Sequence, residues 1–288
     1  MTLVPSWFRY STPMSSLLDP DREVFPNAPL KLVACEVSYQ LAPGADLDAA
    51  KQPFYDEMED RYPLPGHPPH LELRMDAGPN GPVQQVTAQG FRFLSRDKTR
   101  SIVAAPQALV VETSAYTRFE AFSATVAEAV EVLGRHLRIA VVERIGLRYI
   151  DEVPLASLPG DTFDGYFSDA ALAATAQVEG IGRPEESLTT VSYALGADCR
   201  VILRTGSVRQ PVVTTNGPLL IKEASTAPLF IIDVDSAWQA TTTTPLAFDP
   251  LAVSDMIAQL HRPVRTLFNH TITEKLRDDV LRKEKPPA

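Results

Sequence analysis

The stretch Ala140-Val141-Val142-Glu143-Arg144-Ile145-Gly146-Leu147-Arg148-Tyr149-Ile150-Asp151-Glu152-Val153 decides the fold. Ile145, Leu147 and Tyr149 recur at every second place, and Arg144, Gly146 and Arg148 fill the places between. A period of two puts these sets on opposite faces of a β-strand. One face is therefore apolar and the other carries charge. Ser157-Leu158-Pro159-Gly160 stops the run, much as Leu41-Ala42-Pro43-Gly44 stops an earlier β-rich run that begins at Leu30.

Working outward, each of these strands opens a similar order of elements. After the first, Asp46 caps a helix predicted to reach about Asp60, with Phe54, Tyr55 and Met58 inward. Short strands follow over residues 85–95, 101–105 and 108–113, with 96–100 polar enough for a hairpin turn. Phe119, Phe122, Val126, Val130, Leu133 and Leu137 then recur at steps of three and four, which is the stripe of a long amphipathic helix. After the second strand, a helix is predicted from Asp161, carrying the aromatic pair Tyr166 and Phe167. Strands follow over 188–195, 200–205 and 229–234, and a last helix around Met256, Ile257 and Leu260 is expected to break or bend at Pro263.

The expected fold class is therefore α+β, in two similar halves, each an antiparallel or mixed β-sheet packed on a long amphipathic helix. Residues 1–28 read as an irregular leader, 29–139 as the first half and 140–288 as the second, together making two small domains or one compact one. The repeated order suggests an internal duplication.

Composition removes several functions. The formal charge is 27 − 36 = −9, the wrong sign for a protein that binds nucleic acid by displacing counterions. Cys35 and Cys199 stand far apart in strand-like text, so neither a disulfide framework nor a Cys-x-x-Cys site is indicated, and two buried thiols are expected. The first residues lack the pattern of a signal peptide, and no run approaches the ~20 apolar residues of a membrane helix. A cytoplasmic location is expected.

Two places carry candidate chemistry. Arg144 and Arg148 share one strand face with only glycine between them, and could grip a carboxylate or phosphate bidentately. Asp233 and Asp235 also share a face, opposite Phe230, Ile232 and Val234, and could hold Mg²⁺ or Mn²⁺. The same four could simply pair with one another if their strands adjoin. No cofactor is expected, the divalent ion being the alternative. His67 and His70 form a His-x-x-His in a proline-rich loop, short of the further ligands zinc needs, and His136, His261 and His270 stand apart. Thr271-Ile272-Thr273-Glu274 matches a capping box and predicts a fresh helix start. Phosphate loops, dinucleotide fingerprints, nucleophile elbows and His-Glu-x-x-His are all missing from the sequence.

Several strings resemble one family of sporadically distributed bacterial proteins of unassigned activity. Asn27-Ala28-Pro29-Leu30 leading into Glu36-Val37-Ser38-Tyr39 resembles its PPL-x-E opening, and Phe91-Arg92-Phe93-Leu94-Ser95-Arg96-Asp97 its FRF-x-S-x-D hairpin. Arg144 to Asp151 is similar to its RIGLRYIN string, with Asp151 in the place of the usual Asn. Ile231 to Asp235 and Phe268 to Leu276 resemble its closing motifs. The patchy occurrence of that family implies an accessory, defence-linked or toxin–antitoxin-like role. The expectation is a non-catalytic interaction protein with a protein partner or a second copy of itself as a homodimer, and without nucleic acid. The alternative is an enzyme or sensor for a phosphorylated or nucleotide-like ligand, served by Arg144, Arg148, Asp233 and Asp235.

Overall fold

A computed structural model describes residues 23–67, 70–78, 81–173, 178–196, 198–213, 218–221, 226–241 and 244–284, with backbone alone for 70–78 and 81–88. Most of the predicted leader, 1–22, lies outside the described residues. The fold is α+β. In chain order the described elements are β1 (Leu30–Leu41), α1 (Leu47–Met58), β2 (Leu64–Pro65), β3 (His70–Gly78), β4 (Gly81–Gln89), β5 (Phe91–Leu94), β6 (Arg100–Ala105), β7 (Ala108–Thr113) and α2 (Phe119–His136). They continue with β8 (Ile139–Pro154), α3 (Asp169–Leu172), β9 (Thr189–Ala194), β10 (Cys199–Val208), β11 (Leu229–Gln239), β12 (Leu246–Ala247), α4 (Pro250–Thr271) and α5 (Glu274–Leu276).

Among the described residues ten strands form one antiparallel sheet in the order β2-β5-β6-β7-β1-β8-β11-β10-β9, with β12 beside β8; β3 and β4 form a separate hairpin. Within the sheet β1 lies against β8, paired from Leu30↔Asp151 to Leu41↔Ile139. A three-stranded meander stands on either side of this pair, β5-β6-β7 with β7 beside β1 and β9-β10-β11 with β11 beside β8.

The alternation read in the strands decides which side is buried. Val33, Cys35, Val37 and Tyr39 of β1, Ile145, Leu147 and Tyr149 of β8, and Phe230, Ile232 and Val234 of β11 all join the core. The helices cover that side. α1 packs on α2, α2 on α4, and α4 on β8, β10 and β11. Asp46 accepts the N–H groups of Asp48 and Ala49 at 3.0 Å each, and Asp249 caps α4 by accepting from Leu251 at 3.0 Å, with Pro250 at the first helical place. Phe54 lies against Phe91 and Phe93, while Phe167 stacks on Phe230 at 3.8 Å.

Four local expectations differ from the fold. No helix starts at Asp161: the chain turns through 161–167, Gly165 adopts φ +78, and only the single turn α3 follows. Tyr166 and Phe167 are nonetheless buried, held by Thr273 N–H donating to the Tyr166 carbonyl and by a bridge from Phe167 to Ile272. Pro263 does not end α4, because Val253, Met256, Ile257, Leu260 and Val264 stay buried on both sides of it. The capping residue of α5 is Thr273, which accepts from Leu276 N–H; Thr271 instead donates back to Leu267 O at 2.8 Å. Finally, β3 and part of β4 occupy text read as loop.

Gly134, a weak place in a helix by propensity, has a packing reason. A Cβ there would fall 2.4 Å from the Phe248 ring, so the missing side chain is what lets Phe248 seat on α2.

Candidate functional site

The sheet side away from the helices carries the charge. Because β8 lies between β1 and β11, its outward residues meet partners from both. Arg148 stands opposite Asp235 on β11 and Ala34 on β1; Gly146 stands opposite Ala237 and Glu36. All four predicted residues therefore fall on one face of adjoining strands.

They are joined to one another. The Arg148 guanidinium donates from Nε to Asp233 Oδ1 and from Nη2 to Oδ2, both at 2.8 Å. Such a two-pronged grip fits the planar fork of arginine. Arg204, directly across β10–β11 from Asp233, donates to the same Oδ2 at 3.1 Å. Asp233 itself is buried at 2% exposure, and its hydrogen bonds hold the Arg148 proton even more firmly than usual. Arg144 donates to Glu36 at 2.9 Å and lies 3.8 Å from Asp235. Gly146 makes room for this: a Cβ there would stand 2.6 Å from Arg144 Nη1, so the guanidinium lies over the glycine backbone.

Glu36 and Arg204 complete the network and were not singled out from sequence. Glu36 sits at an outward place of β1 and Arg204 at one of β10, so face parity was the available signal. Which strands adjoin could not be read from parity. Three arginines face three carboxylates, Glu36, Asp233 and Asp235, so the cluster is balanced in charge.

The lower end of this face is closed. Glu152, buried at 2% exposure, accepts from the N–H groups of Val212 and Val213 at 2.7 and 2.9 Å. This pins the start of the β10–β11 connection to β8; Ile150 of β8 and Ile231 of β11 are also buried. Further on, Leu220 N–H donates to Lys98 O at 2.8 Å and Ser114 Oγ to Leu220 O at 2.7 Å, so the connection reaches the turn before β6 and the end of β7. The upper part stays open: the side chains of Glu36 and Arg148 are 42% and 44% exposed.

The remaining candidates lie elsewhere. His67 is exposed, and the side chain of His70 is outside the described residues. His136 pairs with Glu57, and His270 is exposed. His261 is half-buried rather than at the surface, stacked on Phe119 at 3.9 Å with Nδ1 3.3 Å from the Tyr149 hydroxyl. Among the described residues no group of three or more His, Cys, Asp and Glu is placed to hold a metal ion. Both cysteines are free; burial pushes the Cys35 thiol up to about 12, whereas Cys199 is only half-buried, contrary to expectation. Among the described residues no helix is long and apolar enough to cross a membrane.

No family model matches the chain, and no curated protein matches it.

Proposed function

We propose that this chain is a non-catalytic interaction protein that self-associates and engages a protein partner through the charged face of its sheet. The observation that carries this reading is the mutual pairing of Arg144, Arg148, Asp233 and Asp235 with Glu36 and Arg204. A phosphate site needs guanidinium groups with hydrogen bonds to spare, and a Mg²⁺ or Mn²⁺ site needs carboxylate oxygens open to the ion. Here Asp233 takes three guanidinium hydrogen bonds while nearly buried. What the face offers outward is a rigid pattern of both charges, which suits recognition of a complementary protein surface. The strings shared with the sporadic bacterial family favour an accessory or defence-linked setting for that partner.

We also infer an internal duplication, running from 29–139 to 140–288. It is supported by the order β1-β7-β6-β5 in one half and β8-β11-β10-β9 in the other, each followed by its long helix. The central β1–β8 pair is antiparallel, as a two-fold relation between halves requires.

The test is affinity capture from the native host with wild-type protein and with Arg144→Glu as bait. A partner held by the first and lost by the second supports the reading. Equal capture by both baits overturns the assignment of this face.

A further inference from the structure

The two edges of the large sheet are built differently. One edge is β2, two residues long, containing Pro65 and preceded by Pro63. A short strand with proline is how sheets discourage further pairing. The other edge is β9, and it carries none of these protections. From Leu188 to Gly196 the chain has no charged residue and no proline.

Among the described residues, the side chains and the backbone of β9 are both left incompletely partnered. Val191 and Tyr193 pair with Leu203 and Val201 of β10, so they lie on the helix-covered side of the sheet. α4 packs as far out as β10, and Val191 and Tyr193 remain 37% and 41% exposed, with Leu195 beside them at 49%. The backbone register is equally clear. Leu195 N–H donates to Cys199 O and Ser187 N–H to Ser207 O, so the odd-numbered residues face β10. Antiparallel pairing alternates, and Thr190, Ser192 and Ala194 therefore direct their N–H and C=O groups outward.

We propose that β9 is the dimer seam of this protein, pairing antiparallel with β9 of a second copy to make one sheet that runs through both. The proposal rests on the reading of the chain as self-associating, and it names the surface. A two-fold axis at Ser192 sets Ser192 against its own copy and Thr190 against Ala194, all residues with outward backbone groups, giving about six hydrogen bonds across the seam. The same axis sets Val191 against Tyr193, a β-branched and aromatic pair of the kind that stabilises sheets. Charge bears on where a second copy can sit. The chain carries a net −9, so two copies repel on balance and meet best where no charge is brought together. The uncharged β9 edge brings no charge against its own copy along the paired residues, and it buries none.

Light scattering on the full chain tests this, with two variants. Ser192→Pro removes an outward N–H that β10 does not use, and Val191→Lys places a charge in the seam. The wild type is expected at twice the 31.5 kDa chain mass. Each variant is expected to raise the dimer dissociation constant by at least about tenfold while keeping the wild-type circular dichroism. A dimer that resists both folded variants would overturn the seam and leave self-association standing. A wild-type chain monomeric at every concentration would overturn both.

Discussion

Arg148 holds Asp233 through two parallel hydrogen bonds of 2.8 Å, yet the arginine side chain is 44% exposed and the aspartate 3%. The pair is lopsided: one charge can return to water and the other cannot. That asymmetry predicts which substitutions matter.

Removing both arginines strands the buried carboxylate. Arg148→Met with Arg204→Met is expected to cost about 3–5 kcal/mol in urea denaturation. Asp233→Asn alone is expected to cost about 1–2 kcal/mol, because the two freed guanidinium groups can turn to solvent. Equal losses in the two proteins would contradict the lopsided burial.

Gly146→Ala places a methyl group on Arg144, the far end of a flexible side chain, and so displaces it from Glu36. Stability should change by less than about 1 kcal/mol, as for other partly exposed pairs. Partner capture should fall, as is expected of Arg144→Glu. A severe loss of stability would show that the glycine serves the fold rather than the charged face.

Gly134→Ala has an expected sign opposite to helix propensity. Within an ordinary helix the change stabilises by about 1 kcal/mol. Here the new methyl meets the Phe248 ring, and the melting temperature should fall. Gly134→Ala combined with Phe248→Ala should recover the propensity gain relative to Phe248→Ala alone. A rise in melting temperature for Gly134→Ala by itself would contradict the seating of Phe248.

Asp151 points to the core side of β8, where burial, and then the charge of Asp233, push its carboxyl up to about 8 from an ordinary 3.8. Between those values the native state keeps a proton that the unfolded chain has lost. Its contribution to stability therefore falls as pH rises through about 4 to 8 and is level above. The bacterial string that this segment resembles has Asn here, and a protonated carboxyl offers the same donor and acceptor. Asp151→Asn should accordingly be more stable than wild type at pH 8, with the difference shrinking toward pH 4. Urea midpoints across that range measure it; a difference independent of pH would refute the raised value.

The sequence made the sheet legible where one face had to be buried. Alternation in β8 and β11 put Arg144, Arg148, Asp233 and Asp235 on their observed faces, since a one-residue error would turn Leu147 and Ile232 to water. The stripe of α2 was legible for the same reason. What escaped depends on distant neighbours. Glu36 and Arg204 join the network only because β1 and β10 flank the pair that bears the four. Pro263 is accommodated because tertiary burial holds α4 together on both sides, which local propensity does not report. The turn through Gly165 has its aromatics fixed by Thr273 and Ile272, more than a hundred residues away.

The most direct test of the central claim is thermal unfolding of the wild type with Mg²⁺ or Mn²⁺, with and without a panel of nucleotides. If the charged face is spent on its own pairs, the melting temperature stays unchanged in every condition. A ligand at about 100 times its dissociation constant would stabilise by ~2.7 kcal/mol. A shift of that size, abolished by Asp235→Asn, would contradict the account and restore a metal-assisted ligand site.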